Sequence, residues 1–491
     1  MSLTDSQRFP LLNDEGRQML DRLREHPHAP VFNHPCGDCL TQAGFQAVRA
    51  YETALNEAPR EGAEGGVAPW VLELVERCRR DVPFYRRLYE GVSTREITSD
   101  VFFRLPCCDR RDLKREPEAF VSDGVPLDEM IVYWTTGTTG QALDIYSHPV
   151  VASIYLAALR YALGLAGIAL EGGSKRVSIV NVSDQEMTFT YATVMSYLRQ
   201  AGHVKVNLNV RDWKCPEDRA AFLDDCVPEV YTGDPVAFAA LARLPLKTRP
   251  KALVSSAMAL LPAWKRALEK HFGCPVLDVY SMNESRFLAV ASADYSVRSG
   301  STKGGITHGD SRQDEVSHHE VLPHDVFVEI VDADGNPLPA GMRGEIAITS
   351  GRNPYMSLIR YRTGDYAALQ CSVSNGGTRL VLVGLEGRTP TLFRGIDGRI
   401  INSIDVTHRL GNFAFPQFSL RQKADGALVF GARGESFDRE LVRKALSDLF
   451  GDAQTLSIGE LSERETISGK IISYVQEGAD LLRMEPGNGG K

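Results

Sequence analysis

The sequence predicts an α/β protein: a large N-terminal domain of layered sheets and helices with a β-rich portion, then a small α+β domain. Three observations carry this reading. Between about residues 130 and 280, short β-rich runs alternate with helical ones. Residues 324–383 switch to strand–turn–strand punctuation, and after about 390 a shorter mixed pattern begins. Alternation of the first kind argues for helices layered on a largely parallel sheet.

Residues 1–100 read as mostly helical. Phe45, Val48, Tyr51 and Leu55 recur at helical spacing, and so do Val71, Leu74, Val75 and Cys78 after Trp70. Between them, Glu57–Pro69 is rich in Gly, Ala, Glu and Pro and reads as a loop. Strands are expected at Val177–Val182, Val204–Val210, Val230–Thr232, Ala252–Ser255 and Val276–Tyr280. Helices are expected at Ser153–Ala166, Tyr191–Ala201, Glu217–Cys226, Pro235–Leu244 and Pro262–Phe272. Val326–Val331 and Gly344–Thr349 flank Asp334-Gly335, a hairpin signal. In the small domain, Phe418–Lys423 and Ala427–Phe430 flank Asp425-Gly426, Phe437–Phe450 is an amphipathic helix, and Ile471–Val475 is a last strand.

The 491 residues suffice for two to four domains. Lys plus Arg number 55 against 63 Asp plus Glu, a net charge of −8 with no basic run, so nucleic acid is not an expected partner. No run of about 18 apolar residues predicts a membrane span. Nine irregularly spaced cysteines and a polar Met1–Pro10 fit a reducing cytoplasm.

Four segments could carry chemistry. Thr135-Thr136-Gly137-Thr138-Thr139-Gly140 sets four hydroxyls and two glycines in six residues, a composition suited to phosphate oxygens, or else a plain turn. It is not a P-loop, because no Lys follows the second glycine. Tyr280-Ser-Met-Asn-Glu284 closes an expected strand with a carboxylate able to bind a metal. Arg360-Tyr-Arg-Thr-Gly-Asp365 ends in a carboxylate whose two acceptor oxygens suit a vicinal diol. Ile467-Ser-Gly-Lys470 reads as a hairpin turn with a cation.

In this order, from about residue 80 to 475, these segments resemble the adenylate-forming superfamily of acyl-CoA synthetases, adenylation domains and luciferases. Val82-Pro-Phe-Tyr-Arg-Arg-Leu-Tyr89 and Leu358–Asp365 place the likeness nearest the phenylacetate–coenzyme A ligase branch. The resemblance implies an ATP-dependent, AMP-forming ligase with Mg²⁺. It implies that Thr135–Gly140 bind phosphate, that Tyr280 packs near adenine and that Glu284 helps hold the metal. Asp365 would take the ribose hydroxyls, Arg388 would lie near ribose and phosphate, and Lys470 would bridge the acid and the α-phosphate. Ser256, Ala257, Met258 and Ser281 would line the acid pocket. The domains would meet at a hinge near Gly387–Thr391, giving 1–388 and a mobile 389–491.

The implied partners are a small, aryl carboxylic acid and coenzyme A, a carrier-protein thiol or an amine as acceptor; a homodimer is left open. Two departures fall near substrate. Gln141 stands where many relatives carry Lys, and Ser255–Leu260 replaces a Gly-Ala-Glu-Pro-like element. These leave room for a second reading, activation of nitrite to diazotise an aryl amine, and for a non-catalytic nucleotide-binding protein. His34, Cys36 and Cys39 could supply three zinc ligands; no second CxxC or His pair supplies the remainder, though Cys107 and Cys108 could come close in space. Asp332–Asn336 reads as a hairpin rather than a calcium loop, and His318-His319 as solvent-exposed.

Overall fold

The computed structural model describes residues 3–58, 66–92, 97–135, 143–291, 317–374, 377–387, 391–434, 437–461 and 473–477. The chain divides into two compact units, 1–259 with 268–389, and 260–267 with 390–491.

The first unit is built on one mixed sheet, thirteen strands among the described residues. Ala201–Asn207, Val177–Ser183, Val230–Gly233, Ala252–Ser255 and Val276–Met282 run parallel as neighbours. The expectation of a largely parallel sheet is corrected by what surrounds them. Tyr191–Met195 joins one side antiparallel, and Arg286–Ala291, His318–Val321, Gly377–Glu386, Leu358–Ser374, Arg343–Ser350 and Phe327–Val331 extend the other side antiparallel. Hairpins need only short turns, whereas each parallel neighbour needs a crossover, so the arrangement follows the lengths of the connections.

The helices cover the parallel part. Gln42–Glu57 starts at Thr41, whose side chain accepts from the Gly44 N–H, and buries Val48, Tyr51 and Leu55. Pro149–Leu165 starts with His148 as cap and Pro at its first position. Its Ile154, Ala157 and Ala158 pack with those residues against Ile179, Val254, Leu277 and Val279. Burial of this kind contributes roughly 25 cal/mol per Å² of apolar surface. Pro69–Asp81 buries the expected Val71, Leu74, Val75 and Cys78 in a second core with Ile346, Ile348 and Tyr361.

Three further expectations are corrected. Tyr191–Ala201 is not a helix: Tyr191–Met195 is a strand, and a turn with Arg199 and Gln200 at φ +58° and +64° reverses the chain. The aromatic and β-branched residues Tyr191, Thr193 and Val194 suit a strand, and a pairing partner lies a few residues on. The strand expected at Val204–Val210 is Ala201–Asn207, ended where the Asn207 side chain bonds the Gln185 N–H and the Asp212 carboxylate. His319 is not exposed: it is 3% accessible, its Nε2 lying 3.3 Å from Asp278 Oδ2. Asp332–Asn336 is a turn, as read, with Asp332 accepting from the N–H groups of Asp334 and Asn336.

The second unit has a four-stranded sheet, in order Leu456–Glu460, Leu428–Arg433, Gln417–Gln422 and Tyr474–Gln476. The Asp425-Gly426 hairpin forms, with Gly426 at φ +87°. Helix Arg439–Phe450 buries Val442, Leu446 and Phe450 beside Phe418 and Phe430. Leu261 belongs to this core, and the Ala263 N–H donates to the Gly411 carbonyl at 3.1 Å. Of the last expected strand, 471–472 lie outside the described residues.

One buried pair fastens the strand Leu358–Ser374. Arg360, 1% accessible and at φ +47°, gives Nε and Nη2 to the two oxygens of Glu329 at 2.9 Å each. Its other N–H groups reach the carbonyls of Phe103, Leu105 and Gly335. Burial pushes the Glu329 carboxyl up and Arg360 opposes that shift. Removing one member of such a pair strands a buried charge, so Arg360→Met is expected to lose about 3–5 kcal/mol of unfolding free energy. In urea titrations, Arg360→Met with Glu329→Met together should recover most of that loss. A single-variant loss below about 1 kcal/mol would contradict this role.

Candidate active site

The first unit brings Tyr280, Glu284, Tyr361 and Asp365 together. Glu284 sits in the tight turn between the paired strands Val276–Met282 and Arg286–Ala291. It is 6% accessible and accepts from Arg110 Nη1 at 2.7 Å and from the Tyr361 hydroxyl at 3.3 Å. Arg110 begins helix Arg110–Arg115, and the preceding Cys108–Asp109 pairs parallel with Tyr361–Arg362. That ladder brings Arg110 up to Glu284.

Asp365 is held through both its side chain and its backbone. The Tyr280 hydroxyl donates to its Oδ2 at 2.7 Å, and its own N–H donates to Thr363 Oγ1 at 3.1 Å. Gly364 takes φ +80°, a left-handed conformation favouring glycine, and its N–H donates to Glu345 at 3.0 Å. A Cβ on Gly387 would lie 3.5 Å from Asp365 Oδ1, so the approach there stays open. The Tyr280 and Tyr361 hydroxyls are held well above the usual phenol range, first by burial and then by the charges of Asp365 and Glu284 respectively. Both therefore stay protonated donors.

The expected acid-pocket residues lie at the carboxyl ends of parallel strands, where open α/β sheets place their ligands. Ser256 follows Ala252–Ser255 and donates its N–H to the Gly233 carbonyl at 3.0 Å. Ala257 sits at φ +69°, a strained position for alanine. Met258 is half-buried, and Ser281 pairs with Phe287. Thr135 closes strand Ile131–Thr135 opposite Leu143 and is described in backbone only. Thr136, Gly137, Thr138, Thr139 and Gly140, together with Arg388 and Lys470, lie outside the described residues.

Sequence reasoning missed Arg110 and Tyr361. Tyr361 was legible in principle, lying inside the Arg-Tyr-Arg segment; Arg110 carried no local signal. It also missed a polar group near the strand ends: Tyr133, Tyr191, His203, Lys205 and Arg286. A lysine inside the apolar run Val204-Lys-Val206 was the visible clue. Lys205 pairs in register with Tyr191, the Tyr191 and His203 rings lie 5.9 Å apart, and the Arg286 guanidinium carbon is 4.7 Å from the Tyr133 ring centre. His203 Nδ1 is buried without a hydrogen-bond partner.

The cysteine segment has a structural explanation. Asp38 accepts from the N–H groups of Ser196 at 2.7 Å and Leu40 at 3.3 Å. Burial, with help from Cys39 and Asp38, pushes the Cys36 thiol up to about 12. Among the described residues no group of three or more His, Cys, Asp or Glu side chains could hold a metal.

Known proteins match this architecture. No protein-family profile matches the chain. The solved structure of 2-hydroxyisobutyryl-CoA ligase in the postadenylation state with 2-HIB-AMP superimposes with a TM-score of 0.60, at 16% identity, over 84% of this chain and 88% of that one. Its complex with R3-HIB-AMP gives the same values, a TM-score of 0.60 and 16% identity. The chain thus has the fold of adenylate-forming CoA ligases. In sequence it is similar to the phenylacetate-coenzyme A ligase of Thermus thermophilus, 26% identical over 388 residues, 72% of this chain and 76% of that protein.

The buried histidine gives the unit a pH dependence. Burial, then the charge of Lys205, pushes His203 down to about 4 from 6.5. A histidine with a lowered folded pKa stabilises the fold above its unfolded value, and that contribution is lost as pH falls through the folded one. Urea unfolding between pH 6.5 and 4 should therefore show a stability slope steeper in the native protein than in His203→Gln by about 1.4 kcal/mol per pH unit. Equal slopes in the two proteins would contradict the burial of a neutral imidazole.

Proposed function

We propose that the protein is an ATP-dependent, AMP-forming ligase that activates a small, aryl carboxylic acid as its acyl-adenylate. It then passes the acyl group to a thiol such as coenzyme A, or to an amine. The observation that carries this reading is the convergence of Asp365, held by Tyr280, and Glu284, held by Arg110 and Tyr361, on one fold. Likeness in fold to a CoA ligase solved with 2-HIB-AMP, and in sequence to a phenylacetate-coenzyme A ligase, supports it.

In this reading the acid's carboxylate oxygen attacks the α-phosphorus of ATP, an O–P bond forms, and pyrophosphate leaves with the electron pair of the broken bond. Asp365 presents two acceptor oxygens to the ribose diol, and Tyr280 keeps that carboxylate oriented. Glu284, a buried carboxylate already matched to a cation, would hold a Mg²⁺ ion, which would supply neutralisation of phosphate charge. Thr135–Gly140 would cradle the phosphates and Arg388 would approach ribose and phosphate. Lys470 would bridge the acid and the α-phosphate, its cation placed where charge develops. The residues after about 391 would turn about Gly387–Thr391 between the two half-reactions, withdrawing Lys470 so that the acceptor reaches the acyl carbon. The nine cysteines, all free thiols, support placing this chemistry in the cytoplasm.

Acid-dependent ATP–pyrophosphate exchange across a panel of aryl acids tests the reading, with nitrite plus an aryl amine as the contrasting arm. Asp365→Ala is expected to weaken ATP binding by about 1.5–3 kcal/mol. Lys470→Ala should slow adenylate formation about 10²–10³-fold with ATP binding nearly intact. Unchanged ATP affinity in the first variant, or a near-normal first step in the second, would remove that residue from the site.

A further inference from the structure

The first unit treats its buried and half-buried cations in two ways. Arg360 pairs with Glu329, Arg352 with Asp325, Arg160 with Glu52 and Lys251 with Glu229. Lys205 and Arg286 have no ion-pair partner among the described residues. Burial lowers the Lys205 amine, and the Cys36 sulfur that would oppose this is itself kept protonated by burial. Arg286 Nε is buried without a hydrogen-bond acceptor, and its guanidinium lies over the Tyr133 ring. Leaving a cation uncompensated in an interior costs several kcal/mol. Such a group persists where a ligand supplies the missing charge.

The two cations share neighbours. Tyr191 stands opposite Lys205 in the sheet and feels the charge of Arg286; Cys36 feels Lys205 and also borders Tyr191 and Tyr133. Arg286 follows Glu284 by two residues and takes φ +64°, and Tyr133 lies on the strand that leads into Thr135. The cluster therefore adjoins the site described above. The phenols of Tyr133, Tyr155 and Tyr191 are all shifted upward, by burial first, so they remain donors. Tyr155 and Phe287, with ring centres 5.8 Å apart, add aromatic surface.

We infer that the acid activated here is an aryl dicarboxylate, whose second carboxylate, the one that is not adenylated, is bound by Lys205 and Arg286. The inference rests on the ligase reading. An anion with two oxygens matches a planar guanidinium and a point-charge ammonium together, with phenol hydroxyls to complete its hydrogen bonds. A monocarboxylate would leave both half-buried cations without an ion-pair partner among the described residues.

The test compares matched acids in ATP–pyrophosphate exchange: benzoate against benzene-1,3-dicarboxylate, and phenylacetate against 3-carboxyphenylacetate. The expected result is a kcat/KM at least about tenfold higher for the dicarboxylates, falling about 10–100-fold relative to the monoacids in Lys205→Met. Should Lys205→Met fail to fold, calorimetric binding of the same acids to the unmodified protein decides, with the dicarboxylates expected to bind at least about tenfold tighter. Exchange that is equal or better with the monoacids overturns this inference and leaves the ligase reading standing. No exchange with any aryl acid, mono- or dicarboxylic, overturns both.

Discussion

The bidentate contact between Arg360 and Glu329 anchors the strand that carries Tyr361 and Asp365. Side chains alternate along a strand, so fixing one residue fixes the facing of its neighbours. With Arg360 locked inward by Glu329 and three backbone carbonyls, Tyr361 turns to Glu284, Arg362 pairs with Glu345, and the bend at Gly364 delivers Asp365 to Tyr280. A segment that reads as a nucleotide motif is therefore half scaffold. Its first arginine bonds five internal acceptor atoms.

The electrostatics of the unit follow the same logic at larger scale. Burying a charge costs more than its pairing usually returns, so buried ion pairs mark places where position matters more than stability. Arg110 on Glu284 is one of these, with a carboxylate whose guanidinium partner is itself partly exposed. Lys205 and Arg286 represent the converse, cationic positions without an ion-pair partner among the described residues.

Much of this was legible in the sequence, and the reasons it was not are local. Helices with clear apolar stripes, such as Pro69–Asp81 and Pro262–Phe272, were readable because their core faces repeat at helical spacing. Tyr191–Met195 was misread because a short apolar run does not reveal its own periodicity and its pairing partner lies beyond a tight turn. Tyr280, Glu284 and Asp365 were singled out through the order of their segments, since each alone is a common turn. Arg110 was not, because its meaning depends on a ladder between Cys108–Asp109 and a strand about 250 residues further on. Nor did the sequence indicate that Leu260–Ala267 joins the small unit, a fact of tertiary packing around Leu261.

The central claim is that Asp365, steadied by Tyr280 and by the anchored strand behind it, is the ribose-binding carboxylate of an adenylate site. A crystal structure of the full chain grown with AMP tests it most directly. The account predicts both ribose hydroxyls within about 2.5–3.0 Å of the Asp365 oxygens, with the Tyr280 ring beside the adenine. A nucleotide bound elsewhere in the chain, or a ribose with no contact to Asp365, would contradict it.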